Sequence, residues 1–242
     1  MVQTAAIGVP VPTPRGDARV WVDRPAAAPA ALLVLGHGAG GGVEAPDLLA
    51  VRAAAVAAGL AVARVEQPYR VAGRRSPAPA AALDEAWVAV IAWLRHAPGR
   101  GRSAGRDRGD GRGRGGGGLR SGFGGLPLVV GGRSSGARVA CRTASAVAAA
   151  GVVALAFPVH PPGRPDRSRL PELALPAVPV LVVQGDRDPF GMPPAAPGRT
   201  VHVVAGGDHS LRTARASVTA AVGAWLAGLA LTAPNRGDTV AP

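Results

Sequence analysis

Two hydrophobic periodicities divide this chain. Short runs rich in Val, Leu and Ala read as strands at residues 3–9, 18–23, 31–35, 60–66, 126–130, 152–157, 178–184 and 200–205. Longer stretches in which apolar residues recur at helical spacing fall at 45–58, 80–96, 134–149 and 211–229. Only a turn containing Pro12, Pro14 and Gly16 separates the first two strands, which predicts an antiparallel hairpin. The middle strands are nearly continuous apolar runs, the pattern expected when both faces of a sheet are covered. Strands then alternate with helices. The pattern predicts one α/β domain over residues 1–242: a mostly parallel eight-stranded sheet with an antiparallel N-terminal hairpin and helices on both faces.

One segment breaks this pattern. Residues 98–125 are mostly Gly and Arg without apolar periodicity, between a helix and a strand that a few residues would connect. Such a composition cannot bury enough surface to offset the entropy of ordering it, so a disordered surface insertion is expected. An Arg-Gly tract that touches RNA is the alternative, but Phe123 is its only aromatic and stacking platforms need more. The segment changes the reading of charge. All 27 basic residues are Arg and the formal net charge is +12, but residues 100–120 alone hold seven Arg against Asp107 and Asp110. Without them the body is only moderately basic, and nucleic acid is not an expected partner outside the 100–120 tract. A single cysteine, Cys141, rules out an internal disulfide and favours a reducing compartment. No basic-then-apolar leader begins the chain, and its longest apolar stretch, near residues 218–233, reads as a closing helix. A cytoplasmic protein that does not enter a membrane is expected.

Candidate chemistry begins at Gly132-Arg133-Ser134-Ser135-Gly136, a G-x-S-x-G pattern. In a chain with 35 glycines the pattern is weak alone. Its setting strengthens it, because a buried strand ends just before it and a helix opens just after it, as a nucleophile elbow requires. Choosing Ser135 would put Arg133 and Ala137 at the two cramped positions, so Ser134 is the candidate nucleophile. A serine needs a base oriented by an acid. Downstream, one strand runs into Asp186-Arg187-Asp188 and the next into Gly206-Gly207-Asp208-His209. Parallel strands deliver both loops to the edge where Ser134 stands. Asp188 lies further into its loop and is favoured as the acid, with Asp186 the alternative; His209 is the base. The loop Gly36-His37-Gly38-Ala39-Gly40 is expected to supply oxyanion donors at Gly38 and Ala39, together with the N–H of Ser135. Gly36, Gly38 and Gly41 also fit G-x-G-x-x-G, with Glu66 as a ribose-binding acid, but a dinucleotide fingerprint opens the first βαβ unit and this loop follows a hairpin.

This layout resembles the α/β-hydrolase fold. The motifs above, with Gln67-Pro68-Tyr69-Arg70, the run from Phe157 to Gly163 and Gly185-Asp186-Arg187-Asp188-Pro189-Phe190-Gly191, resemble dienelactone-hydrolase-like bacterial hydrolases. They also resemble eukaryotic relatives that include a subunit of a chromatin acetyltransferase complex. Dienelactone hydrolase carries cysteine at the elbow; this chain has Ser134, and Cys141 reads as a small buried residue. The resemblance covers most of the chain and implies the fold and triad positions without naming a substrate. His37, Tyr69 and His160 follow strand ends and are candidate substrate contacts, while Arg133 either attracts an acidic substrate or pairs with a structural carboxylate. The expectation is a serine hydrolase of a small ester, thioester or related acyl compound, with no cofactor and no metal. The other readings are a non-catalytic interaction module of the same fold and a hydrolase-fold carrier of an Arg-Gly nucleic-acid tract. Oligomeric state is left unassigned.

Overall fold

The computed structural model describes residues 8–96 and 122–231. Its centre is one sheet in the order β1-β2-β4-β3-β5-β6-β7-β8. β1 (Val9–Val11) and β2 (Ala18–Asp23) form the expected antiparallel hairpin, and β2 also runs antiparallel to β4 (Leu60–Glu66). From β4 onward every pair is parallel: β3 (Ala31–Gly36), β5 (Leu128–Arg133), β6 (Gly151–Leu155), β7 (Val180–Gly185) and β8 (Arg199–Val204). Residues 3–7 of the first expected strand lie outside the described residues.

Alternation along the central strands builds two cores. Leu32 and Val34 of β3 face one side, with Trp87, Val90 and Leu94 of α3 (Ala80–Arg95) and Val139 of α4 (Ser135–Thr143). Leu33 and Leu35 face the other, with Leu48 and Val51 of α1 (Pro46–Ala57) and Val218 and Val222 of α6 (Arg215–Gly228). A strand buried on both faces gains nothing from polar residues, hence the unbroken apolar runs. Two short helices, α2 (Pro68–Val71) and α5 (Leu170–Leu173), are absent from the sequence pattern because four residues carry no helical period. Among the described residues, no helix is long and apolar enough to cross a membrane.

Two expected boundaries move. α4 stops at Thr143, and Ala148 takes a left-handed φ of 50° while the Ala149 N–H reaches back to the Ala144 carbonyl at 2.9 Å. That back-bond ends the helix as a glycine cap would, because the chain must turn into β6 beside β5. The second shift concerns the Arg/Gly-rich segment, of which residues 98–121 lie outside the described residues. Its last four, 122–125, join the body: Phe123 is fully buried in the α3–α4 core, and the guanidinium of Arg24 lies 4.4 Å over its ring. One large aromatic supplies the buried area that its polar neighbours cannot.

Candidate active site

The elbow is built by crowding. β5 ends at Arg133, and Ser134 takes φ 51° and ψ −110°, a sparsely populated conformation for a side-chain-bearing residue. The reversal allows α4 to start at Ser135. It also brings the end of β3 against the turn: a Cβ on Gly132 would lie 2.5 Å from the Gly36 carbonyl oxygen, and one on Gly136 would collide with the same oxygen. The glycines two places either side of Ser134 are therefore steric requirements. The Ser134 N–H is held by the Leu155 carbonyl at 2.9 Å.

The ends of β5, β7 and β8 bring three side chains into one hydrogen-bonded chain. His209 Nδ1–H donates to Asp188 Oδ2 at 2.8 Å, which leaves Nε2 to accept the Ser134 hydroxyl at 2.9 Å. Asp188 is held in turn by the Phe190 N–H, which donates to Oδ1 at 2.9 Å, and by Gln184 Nε2, which donates to Oδ2 at 2.9 Å. The Phe190 ring meets the imidazole edge to face, with centroids 4.4 Å apart. Asp186 is exposed and its N–H goes to the Val204 carbonyl; no bond joins its carboxylate to His209.

Ser134 and His209 open into a cleft of about 500 Å³ with Ala39, Gly40, Asp47 and Arg212 on its walls. Gly38 packs against the elbow, where an added Cβ would stand 3.6 Å from that of Ser134. Ser135 is the first residue of α4, so its N–H has no partner within the helix. Gly38 and Ala39 thus stand beside Ser134, and Ser135 follows it at the start of α4.

The three candidate substrate contacts do not line this cleft. His37 is buried and both its ring nitrogens are taken. The Gln67 N–H donates to Nε2 at 3.1 Å, so the proton sits on Nδ1, which donates to the Gly38 carbonyl at 2.8 Å. The Tyr69 hydroxyl, kept protonated by burial, donates to the Ala39 carbonyl at 2.9 Å and borders a separate cavity of about 380 Å³. Both residues order the Gly38–Ala39 loop from behind. His160 instead packs against Gly191, in the loop that carries Asp188, and its Nδ1–H donates to the Pro161 carbonyl at 2.9 Å. Strand-end position cannot tell a cleft wall from a loop prop, and the difference lies in side-chain direction. Burial lowers the pKa of His37 below its ordinary 6.5, so the unfolded chain takes up a proton that the folded one resists. The stability this supplies is complete above pH 6.5 and is lost as pH falls. Denaturant unfolding at pH 7.5 and 5.5 should show a shallower loss in His37→Gln than in the parent.

Gln184 and Asp47 are site residues that the motifs do not flag. Gln184 is the lone polar residue of β7 and is fully buried, bonding both Asp188 and the Gly191 carbonyl, the latter at 2.8 Å. A polar residue inside an apolar strand was the available signal. Gln184→Leu strands the Gly191 carbonyl and is expected to cost about 1–3 kcal/mol by thermal unfolding. Asp47, in the first turn of α1, is fully buried and accepts Arg133 Nε–H at 2.8 Å. Burial pushes its carboxyl up, against the opposing pull of the Arg133 guanidinium. Of the two sequence readings of Arg133, the structural carboxylate is the observed one. Cys141 is buried on α4 with its thiol pushed up to about 12 by desolvation, so it offers no thiolate.

With this geometry in view, comparisons with known proteins locate the chain. Residues 119–228 match the family model described as an alpha/beta hydrolase domain. An α/β serine hydrolase homologue from Coxiella burnetii superposes with a TM-score of 0.67 at 17% identity, covering 93% of this chain and 99% of that one. An α/β serine hydrolase without a lid from Xanthomonas campestris gives 0.65 at 19%, covering 96% and 99%. Dienelactone hydrolase from Anabaena variabilis gives 0.66 at 17%, covering 94% and 98%. No curated protein matches the sequence. The chain has the α/β-hydrolase fold. The glycines after β3 belong to this fold and not to a dinucleotide fingerprint, whose third glycine would open a helix; here α1 begins only at Pro46.

Proposed function

We propose that this protein is a serine hydrolase of small carboxylic esters, thioesters or related acyl compounds. The observation that carries the reading is the unbroken hydrogen-bonded chain from Ser134 Oγ through His209 to Asp188. Ser134 Oγ attacks the acyl carbonyl as its proton passes to His209 Nε2, and Asp188 fixes the imidazole tautomer and stabilises the imidazolium. The N–H groups of Ala39 and Ser135 stabilise the oxyanion, and His209 then returns the proton to the leaving group. Water repeats the cycle on the acyl-enzyme. Between β6 and β7 the only helix is the four-residue α5, too little to cover the cleft, which favours small substrates entering an open site. The lidless neighbour from Xanthomonas campestris has the same character by its description. The lone, buried Cys141 favours a reducing compartment such as the cytoplasm.

The test is activity-based labelling. A fluorophosphonate should modify the folded protein at Ser134, and peptide mapping should find the adduct there. Ser134→Ala and His209→Ala should each abolish the label. A folded protein that takes no label, or takes it at Ser135, would defeat the reading and favour a non-catalytic interaction module of the same fold.

A further inference from the structure

Arg133 is the residue before the nucleophile, and one edge of its guanidinium bonds both a helix start and a loop. Nε–H donates to Asp47 Oδ2 at 2.8 Å, and Nη2 donates to the main-chain carbonyl of His209, also at 2.8 Å. Nη1 lies against the Gly38 loop, where a Cβ on Gly38 would approach it to 2.9 Å. A single planar group therefore touches the start of α1, the Gly38 loop and the His209 loop from the backbone of the elbow. Asp47 is itself fixed, with Oδ1 accepting the Leu48 N–H at 2.9 Å inside the first turn of α1. The positive end of the α1 dipole favours a carboxylate at that place.

The His209 loop has need of such an anchor. It begins at Gly206, with φ 69°, and reaches Leu211, with φ 46°. Its ends are tied, the Arg187 N–H donating to the Gly207 carbonyl at 2.9 Å and the Leu211 side chain fully buried, while between them stand an exposed turn in which Asp208 accepts the Ser210 N–H and the contacts of the imidazole itself. Resting on the hydrolase reading above, we infer that Arg133 and Asp47 form a positioning pair: Asp47 aims the guanidinium, and the guanidinium holds the His209 backbone so that Nε2 stays at hydrogen-bond distance from Ser134 Oγ. The fork geometry matters. A lysine ammonium can satisfy Asp47 but has no rigid second donor aimed at a carbonyl on another loop. Because Asp47 neutralises the charge and two of the donors are spent inside the protein, positioning is favoured over capture of an anionic substrate.

Three variants test the pair: Arg133→Lys, Arg133→Ala, and the double replacement Arg133→Met with Asp47→Leu, which leaves no unpaired buried charge to unfold the protein. The readouts are kcat and KM for neutral p-nitrophenyl acetate and for an ester bearing a carboxylate, and backbone hydrogen exchange over residues 206–211. All three should lower kcat for the neutral ester by about 10²-fold, the loss that misplacing a reacting group by about 1 Å can cause, with KM within about twofold. Exchange in the loop should quicken. Added methylguanidinium should partly restore Arg133→Ala and leave Ser134→Ala inert. A kcat within about twofold of the parent, or a loss confined to KM for the anionic ester, would overturn the inference and assign Arg133 to substrate binding. If the parent protein itself neither labels nor turns over ester, the hydrolase reading falls. The exchange measurement then still decides the pair, since an unchanged loop in Arg133→Lys overturns it.

Discussion

Asp188→Asn should lower kcat for p-nitrophenyl acetate by a factor on the order of 10⁴ while leaving the fold intact. The hydrogen-bond pattern around the carboxylate gives the reason. Oδ1 receives the Phe190 N–H, and Oδ2 receives both His209 Nδ1–H and Gln184 Nε2–H, so every neighbour is a donor. An asparagine has one acceptor oxygen to offer. With its oxygen toward Phe190, its NH₂ faces His209 and forces the proton onto Nε2, the nitrogen that must accept from Ser134. With its oxygen toward His209, the NH₂ faces the Phe190 N–H, and a buried main-chain donor loses its partner. The first arrangement destroys the base, and the second costs about 1–3 kcal/mol. Circular dichroism and thermal unfolding check the fold, and steady-state kinetics check the rate. Asp186→Asn, at an exposed position, should leave kcat unchanged; a large loss there with little at Asp188 would transfer the acid role to Asp186.

The mostly parallel sheet, its antiparallel hairpin and the strand-end placement were legible because they follow from few rules. Apolar runs with both faces covered imply crossovers, and crossovers in a parallel sheet collect the loops after β5, β7 and β8 at one edge. Ser134, Asp188 and His209 meet there although they are far apart in the chain. The direction of each side chain was not legible. His37, Tyr69 and His160 share the same strand-end signature, yet the first two turn behind the Gly38–Ala39 loop and the third props the Asp188 loop. Asp47 was hidden for a related reason. An acid in the first turn of a helix is an ordinary solvated residue, and only Arg133, reaching across from β5, makes it a buried one. The end of α4 was lost to propensity: the alanines at 148–150 favour helix, but the chain must enter β6, and tertiary geometry overrides them.

Composition is weakest where a single residue departs from its surroundings, and Phe123 is that case. Judged as part of residues 98–125, it belongs to a surface insertion whose replacement from Gly99 to Gly124 by a Gly-Ser linker would be nearly neutral, because loop closure depends only weakly on length. Its ring is instead fully buried in the α3–α4 core under Arg24. A turn fixes it there: the Leu126 N–H donates to the Phe123 carbonyl at 3.3 Å, Gly125 supplies a φ of 83°, and a Cβ on Gly124 would press to 2.8 Å from the Arg95 carbonyl oxygen. Phe123 thus anchors the entry to β5, the strand that ends just before Ser134. Phe123→Ala removes the ring and leaves a cavity, at a cost of about 3–5 kcal/mol. For a chain of this size that lowers the unfolding midpoint by roughly 6–20 °C. Phe123→Leu, which keeps most of the volume, should cost well under half as much. The Gly99–Gly124 replacement should be as damaging as Phe123→Ala, whereas a linker that stops short of residue 122 should change the midpoint by only a few degrees. Calorimetry of the four proteins separates the outcomes. If Phe123→Ala unfolds within about 2 °C of the parent, the aromatic does not anchor β5 and the insertion extends to Gly125 as its composition suggests.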